Sequence, residues 1–275
     1  MQLQKFISEL EMEFPEKTAW ENDRIGLQVD TGKENIENIH VTLELNDDVI
    51  DEAVGNNSDI IISFHPLIFR PIKEINQNDR VTRLVSKLIK NDISLYIIHT
   101  NFDAHPYGTS YELCSRLGFQ RDQYIEKDEE YPERGMGAIV EFKDEKSLED
   151  IVQKVSDICS TPVRFNEGAS NKINKLAILG GSGSSYIDKA IDKGADALIT
   201  ADITYHEFHR VNGVISIIDP GHYEMEQFVI EALEKNISKR FKDDLNIFKS
   251  KIRTNPVYYY PENNYKENQI KYLNK

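Results

Sequence analysis

Cysteine is nearly absent from this chain. Two occur in 275 residues, Cys114 and Cys159, far apart and without a CxxC partner. That excludes a disulfide framework and a thiolate zinc knuckle, and the pair reads as two ordinary buried thiols. No apolar run reaches membrane-spanning length, so no membrane partner is expected. The opening MQLQKFISELEMEF has neither the basic n-region nor the continuous apolar core of a signal peptide, and the expected compartment is the cytoplasm. Basic residues are the minority, 33 against 47 acidic ones, for a formal net charge of −14. Such a surface repels phosphate backbones, and nucleic acid is disfavoured as a partner. Lys239, Arg240, Lys242, Lys249, Lys251 and Arg253 reverse the sign locally, but acids and aromatics interrupt them too often to make a nucleic-acid patch. No Ser/His/Asp or Cys/His nucleophile signature is present, so covalent catalysis has no support.

What remains is a chain with 39% hydrophobic residues, enough for a sizeable core. Leu3, Phe6, Ile7, Leu10 and Met12 recur at near-helical spacing and predict a first helix over 2–13. Short apolar runs, IGLQV (25–29), IHVTLEL (39–45), DIIIS (59–63) and SLYIIHT (94–100), predict strands, with helices over 47–54 and 79–91 among them. The rhythm repeats after residue 136: strands at 137–142, 175–179, 197–200 and 213–219 alternate with helices at 147–158, 185–193, 204–211 and 223–238. This is an α/β fold of two lobes with mixed or parallel sheets flanked by helices, and the cleft between the lobes is the expected place for a site. The charged EKDEEYPERG (126–135), with Pro132 and Gly135, marks the expected boundary between lobes 1–125 and 126–275.

Ligands in open parallel sheets gather beyond the carboxyl ends of strands. Four such loops carry candidate groups: His65, then Asp103 with His99, then Asp202 with His206, and finally His222 with Glu226. Five of the seven histidines lie on these loops or on the strand entering one, a concentration that scattered structural histidines have no reason to show. His222 and Glu226, four apart, share one face of a helix and can share an ion. A solvent-facing pair fits the same spacing equally well, and Glu224 and Glu231 match Glu226 in composition. Imidazole and carboxylate suit divalent zinc, iron or manganese. LGGSGSS (179–185) is either an anion-binding turn for a phosphate or simply a tight strand-to-helix turn.

Taken in order, WENDRIGLQV (20–29), DIIISFHPLIF (59–69), HTNFDAHPYG (99–108), LGGSGSSYIDKAIDKGADALITADITYH (179–206) and DPGHYEME (219–226) resemble the Nif three-like dinuclear metal-binding family. Many of its members carry the name GTP cyclohydrolase type 1, class 2. The resemblance spans nearly the whole chain and implies metal ligands at His65, Asp103, His222 and Glu226, for one or two divalent ions per subunit. It also implies adjacent histidines before PLIF, and here the first of them is Phe64. A homo-oligomer, a hexameric ring of dimers, follows from the resemblance alone. The aromatic tail PVYYYP (256–261) is expected to pack on the body.

Two functions stay open. One is a metal-dependent hydrolase, GTP cyclohydrolase-like, using metal-activated water, with His99, Asp202 or His206 moving protons and a phosphorylated or nucleotide small molecule as ligand. The other is a non-catalytic metal-binding or protein-interaction scaffold whose dinuclear site Phe64 leaves incomplete.

Overall fold

In the computed structural model, which describes residues 1–259, the elements follow in chain order. Helix α1 (Leu3–Glu13) precedes β1 (Gly26–Val29), β2 (Asn38–Thr42), α2 (Asp47–Gly55), β3 (Ile60–Ser63), α3 (Arg80–Lys90) and β4 (Ser94–Ile97). Then come α4 (Thr100–Asp103), α5 (Thr109–Arg116), β5 (Glu126–Lys127), β6 (Gly135–Met136), β7 (Ala138–Ser147), α6 (Leu148–Cys159) and β8 (Arg164–Phe165). The chain continues with β9 (Lys172–Ser182), α7 (Ile187–Asp192), β10 (Ala197–Ala201), α8 (Tyr205–Val211) and β11 (Ser216–Asp219). It closes with α9 (His222–Glu226), α10 (Val229–Phe241) and β12 (Asn246–Lys249). No helix among the described residues is long and apolar enough to cross a membrane.

Two compact units form, each α/β. The first comprises residues 1–112, 126–137 and 227–254. Its sheet runs β1-β4-β3-β2-β12, parallel except for β1, which pairs antiparallel with β4. The central strand β3 reads Ile-Ile-Ile-Ser and is buried throughout, as a parallel strand covered on both faces requires. Asn46 and Asp79 cap α2 and α3 by accepting the amides of Val49 and Thr82. Those helices lay Val49, Ile50, Ala53, Leu84 and Leu88 on Ile61, Leu95 and Ile97.

The second unit comprises residues 113–125, 138–226 and the segment from Asn255. Its sheet runs β7-β9-β10-β11-β8, with β9, β10 and β11 parallel and the two edges antiparallel. Here too the middle strands, ALITA and SIID, are wholly buried.

Three expectations change. A single boundary at 125/126 does not describe the units, because α10 and β12 return to the first sheet, where β12 pairs in parallel register with β2. The long helix expected over 223–238 is two helices, broken after Glu226, and the first lasts only five residues. Thr100, expected as the end of a strand, and Asn-Phe-Asp (101–103), expected as loop, form α4, since His99 and Thr100 supply carbonyls to the amides of Asp103 and Ala104.

Candidate metal centre

In the first unit, β3 and β4 are each followed, two residues on, by a histidine, His65 and His99. The amide of Phe64 donates to Thr42 O (3.0 Å) and that of His65 to Leu43 O (2.9 Å), which fixes the exit of β3 beside β2. Phe64 is fully buried, its ring 5.3 Å from that of His99 and 6.4 Å from that of Phe102. It is a core residue here and offers no donor. His65 is half-buried, with Nδ1 3.3 Å from Glu44 Oε2.

His99 leaves β4 with Nδ1 2.9 Å from both oxygens of Asp23. The rings of His65 and His99 stand edge to face at 5.6 Å. Asp23 also accepts the Thr100 hydroxyl, the Thr100 amide (3.2 Å) and the Arg24 amide (2.7 Å). Burial alone would raise its pKa, but the His99 bond and these donors outweigh it and hold the carboxyl at about 2. Asp103 ends α4 one turn after His99, with one carboxylate oxygen buried.

In the second unit, Asp202 follows β10 in the left-handed region, φ 60°, a conformation that Asp tolerates better than most residues. Its Oδ2 lies 2.7 Å from His222 Nδ1. On the other side of the ring, Nε2 lies 3.0 Å from Glu226 Oε2, and Glu226 is buried. Burial disfavours a charged imidazole, yet bonds to Asp202 and Glu226 push His222 up to about 11, and His222 in turn lowers Asp202. The gap between Nε2 and Glu226 therefore attracts positive charge.

Gly181, at the end of β9 with φ 66°, leaves room for this pair. A Cβ there would lie 2.6 Å from Glu226 Oε1 and 3.4 Å from His222 Nε2. Thr200 Oγ1 donates to Gly181 O (2.9 Å), and a Cβ on Gly183 would strike Thr200. Gly181 and Gly183 of LGGSGSS are thus explained by close packing. The helix that follows, α7, has six residues.

All three strand-end histidines have Nδ1 on a carboxylate: His65 on Glu44, His99 on Asp23, His222 on Asp202. With Nδ1 donating, each presents Nε2, the arrangement that metal-ligating histidines adopt. Nitrogen and oxygen donors of the kind at His65, His222 and Glu226 suit a divalent ion. His206 lies apart from this pattern, exposed on α8 with its ring against Tyr205. The three acids that composition could not separate have separate roles. Glu226 meets His222, Glu224 accepts the buried Asn255 amide (2.7 Å), and Glu231 pairs with Lys249 (3.3 Å) at the surface. Sequence reasoning missed Asp23 and Glu44, although Asp23 lies inside the WENDRIGLQV block.

Comparison with known proteins finds relatives along most of the chain. A protein of Streptococcus pneumoniae named GTP cyclohydrolase 1 type 2 homolog is 34% identical over 255 residues, covering 89% of this chain and 94% of its own. A Clostridium perfringens protein of the same name is 32% identical, covering 85% and 90%. Among solved structures, a hypothetical protein of Staphylococcus aureus superposes with a TM-score of 0.85 at 28% identity, over 94% of this chain and 99% of that one. A Bacillus cereus protein related to NIF3 shares the fold, with a TM-score of 0.86 at 23% identity and the same coverage. The Duf34/NIF3 (NGG1p interacting factor 3) family matches residues 1–256, and the chain belongs to that family.

Proposed function

We propose that this protein is a metal-dependent hydrolase whose divalent ion is held by His222 and Glu226, with His65 and Asp103 as the further ligands that the family resemblance implies. One observation carries the reading: His222 has its Nδ1 fixed by Asp202 at 2.7 Å and its Nε2 turned to the buried Glu226 carboxylate at 3.0 Å. A buried imidazole–carboxylate pair of this kind suits zinc, iron or manganese. When bound, such an ion lowers the pKa of a coordinated water toward about 7 and polarises the bond under attack. The chain's own groups have distinct tasks. Asp202 sets the tautomer and tilt of His222, and Gly181 keeps the backbone clear of both ligand atoms. Asp23, ionised and saturated with donors, fixes His99 with Nε2 as its open nitrogen, which suits a proton acceptor. The names of the relatives support a small-molecule hydrolysis of the GTP cyclohydrolase kind.

Phe64 favours a second reading, a binding protein with one ion rather than two, since its buried phenyl supplies no ligand. Elemental analysis of the purified protein beside Phe64→His separates them. About one ion per chain rising to two in the variant supports the one-metal reading; two in both keeps two-metal hydrolysis, and none in either refutes the metal reading.

A further inference from the structure

The second unit contains a cavity of about 300 Å³ lined by His222 and Asp202 together with Arg164, Tyr223, Val257 and Tyr259. We infer that this cavity binds a small oxyanion-bearing molecule and that Arg164 is the group that receives the oxyanion. The inference deepens the metal reading, on which it rests for its place beside His222.

Elimination among the polar groups that line the cavity singles out Arg164. Three carboxylates face the cavity, and each is already engaged. Asp219, almost wholly buried, accepts Arg164, the amide of Ile203 (3.1 Å) and the amide of Gly221 (2.9 Å). Glu224, also buried, accepts Asn255 Nδ2 at 2.7 Å, and a Cβ on Gly221 would strike both its carboxylate and the Tyr259 hydroxyl. Asp202 holds His222.

Arg164 differs from all three. It gives Nη2 to Asp219 and lies 5.6 Å from the Phe208 ring, yet its side chain stays 61% exposed. A guanidinium carries five donors, and one anchored at a single nitrogen presents the rest of its fork outward, the geometry that matches carboxylate or phosphate.

The walls are built rather than accidental. Asn255 is buried, its Oδ1 receives the amide of Val257 at 2.9 Å, and its Nδ2 meets Glu224, so the segment carrying Val257 and Tyr259 is tied to the helix that carries His222. This gives the described part of the aromatic tail a role that its sequence did not disclose. Residues 260 and 261 of that tail lie outside the described residues. The volume is at the lower end of ligand pockets, which span about 300–1,000 Å³, and suits a phosphomonoester or a short carboxylic acid.

The test titrates full-length protein, zinc-loaded and metal-free, with inorganic phosphate and separately with acetate, followed by calorimetry. Wild type is expected to bind one of the two anions, and Arg164→Gln to bind it at least about tenfold more weakly, as expected for a lost charge-assisted pair. Arg164→Lys is expected to recover only part of that loss, because an ammonium cannot reproduce the fork. It also keeps a cation beside Asp219 should the Gln variant fail to fold, and then decides by falling below wild type. Tighter binding of phosphate or of acetate identifies the ligand class. Equal binding by wild type and the variants, or binding of neither anion, overturns the inference. Zinc stoichiometry, measured on the same samples, judges the metal reading independently: a wild type that takes no zinc refutes that reading and leaves the Arg164 comparison intact.

Discussion

Gly181 and Gly194 form a matched pair for testing the cradle around His222 and Glu226. Both have left-handed backbones, φ 66° and 72°, but an added Cβ meets nothing within 4 Å at Gly194, whereas at Gly181 it would lie 2.6 Å from Glu226 Oε1. In either position alanine pays the left-handed conformation, about 1–2 kcal/mol, offset by about 0.4–1 kcal/mol from a stiffer unfolded chain. The net is about 1 kcal/mol, a fall in Tm of about 2–4 °C for a domain of this size. Gly194→Ala should show that and nothing more. In Gly181→Ala the Glu226 oxygen must also retreat from 2.6 Å to at least the 3.4 Å of ordinary contact, and Glu226 is too buried to swing into solvent. Displacing a ligand by that much should weaken zinc binding at least about tenfold, by analogy with losses of 10- to 100-fold when a ligand's orienting partner is removed. Differential scanning calorimetry gives the first quantity, and competition with a chromophoric chelator on metal-stripped protein gives the second. If both variants bind zinc as wild type does, the cradle is not what shapes the site.

Asp202→Asn retains a residue that tolerates a left-handed backbone, so it isolates the carboxylate; zinc affinity should fall about 10- to 100-fold with little change in Tm, and an unchanged affinity would mean that His222 needs no orienting partner. Asp23, lowered from 3.8 to about 2, contributes stability that is fully present above its unfolded pKa and lost as the pH falls through about 2. Urea unfolding of wild type and Asp23→Asn should therefore differ by about 2 kcal/mol at pH 6 and converge toward pH 2; a gap independent of pH would point to shape rather than charge. Burial pushes Cys114 up to about 11 and Cys159, beside Glu224, up to about 12. A thiol reagent at pH 8 should find neither in the native protein and both after unfolding, and rapid native labelling of either would contradict their burial.

The strand ends were legible because the rule that selects them is a property of parallel sheets. β3, β4, β10 and β11 all read as short apolar runs, and each delivers a candidate residue where its hydrogen-bond ladder stops. The i,i+4 spacing put His222 and Glu226 on one face, although the helix carrying them is shorter than the pattern suggested. Spacing could not rank Glu224, Glu226 and Glu231, because that choice depends on what arrives from elsewhere: Asn255 at Glu224, His222 at Glu226, Lys249 at Glu231. Asp23 and Glu44 were invisible for the same reason. Each is an isolated acid whose importance lies in a histidine distant in sequence, 76 residues away for Asp23 and 21 for Glu44. The glycine-rich turn left two readings side by side, since freedom to bind an anion and freedom to pack closely look alike in sequence.

The last strand of the first sheet also bears on how the molecule is made. β12 lies against β2, and Asn246 bonds across to Asn38 over a separation of 208 residues. During synthesis β2 therefore emerges with an open edge that stays unpaired until β12, some 208 residues later, has been translated. An exposed strand edge is a template for pairing with the wrong neighbour, and closing so long a loop is slow. The first sheet, begun with β1, is completed only by β12, and premature release of a chain cut before β12 would leave the β2 edge bare for aggregation.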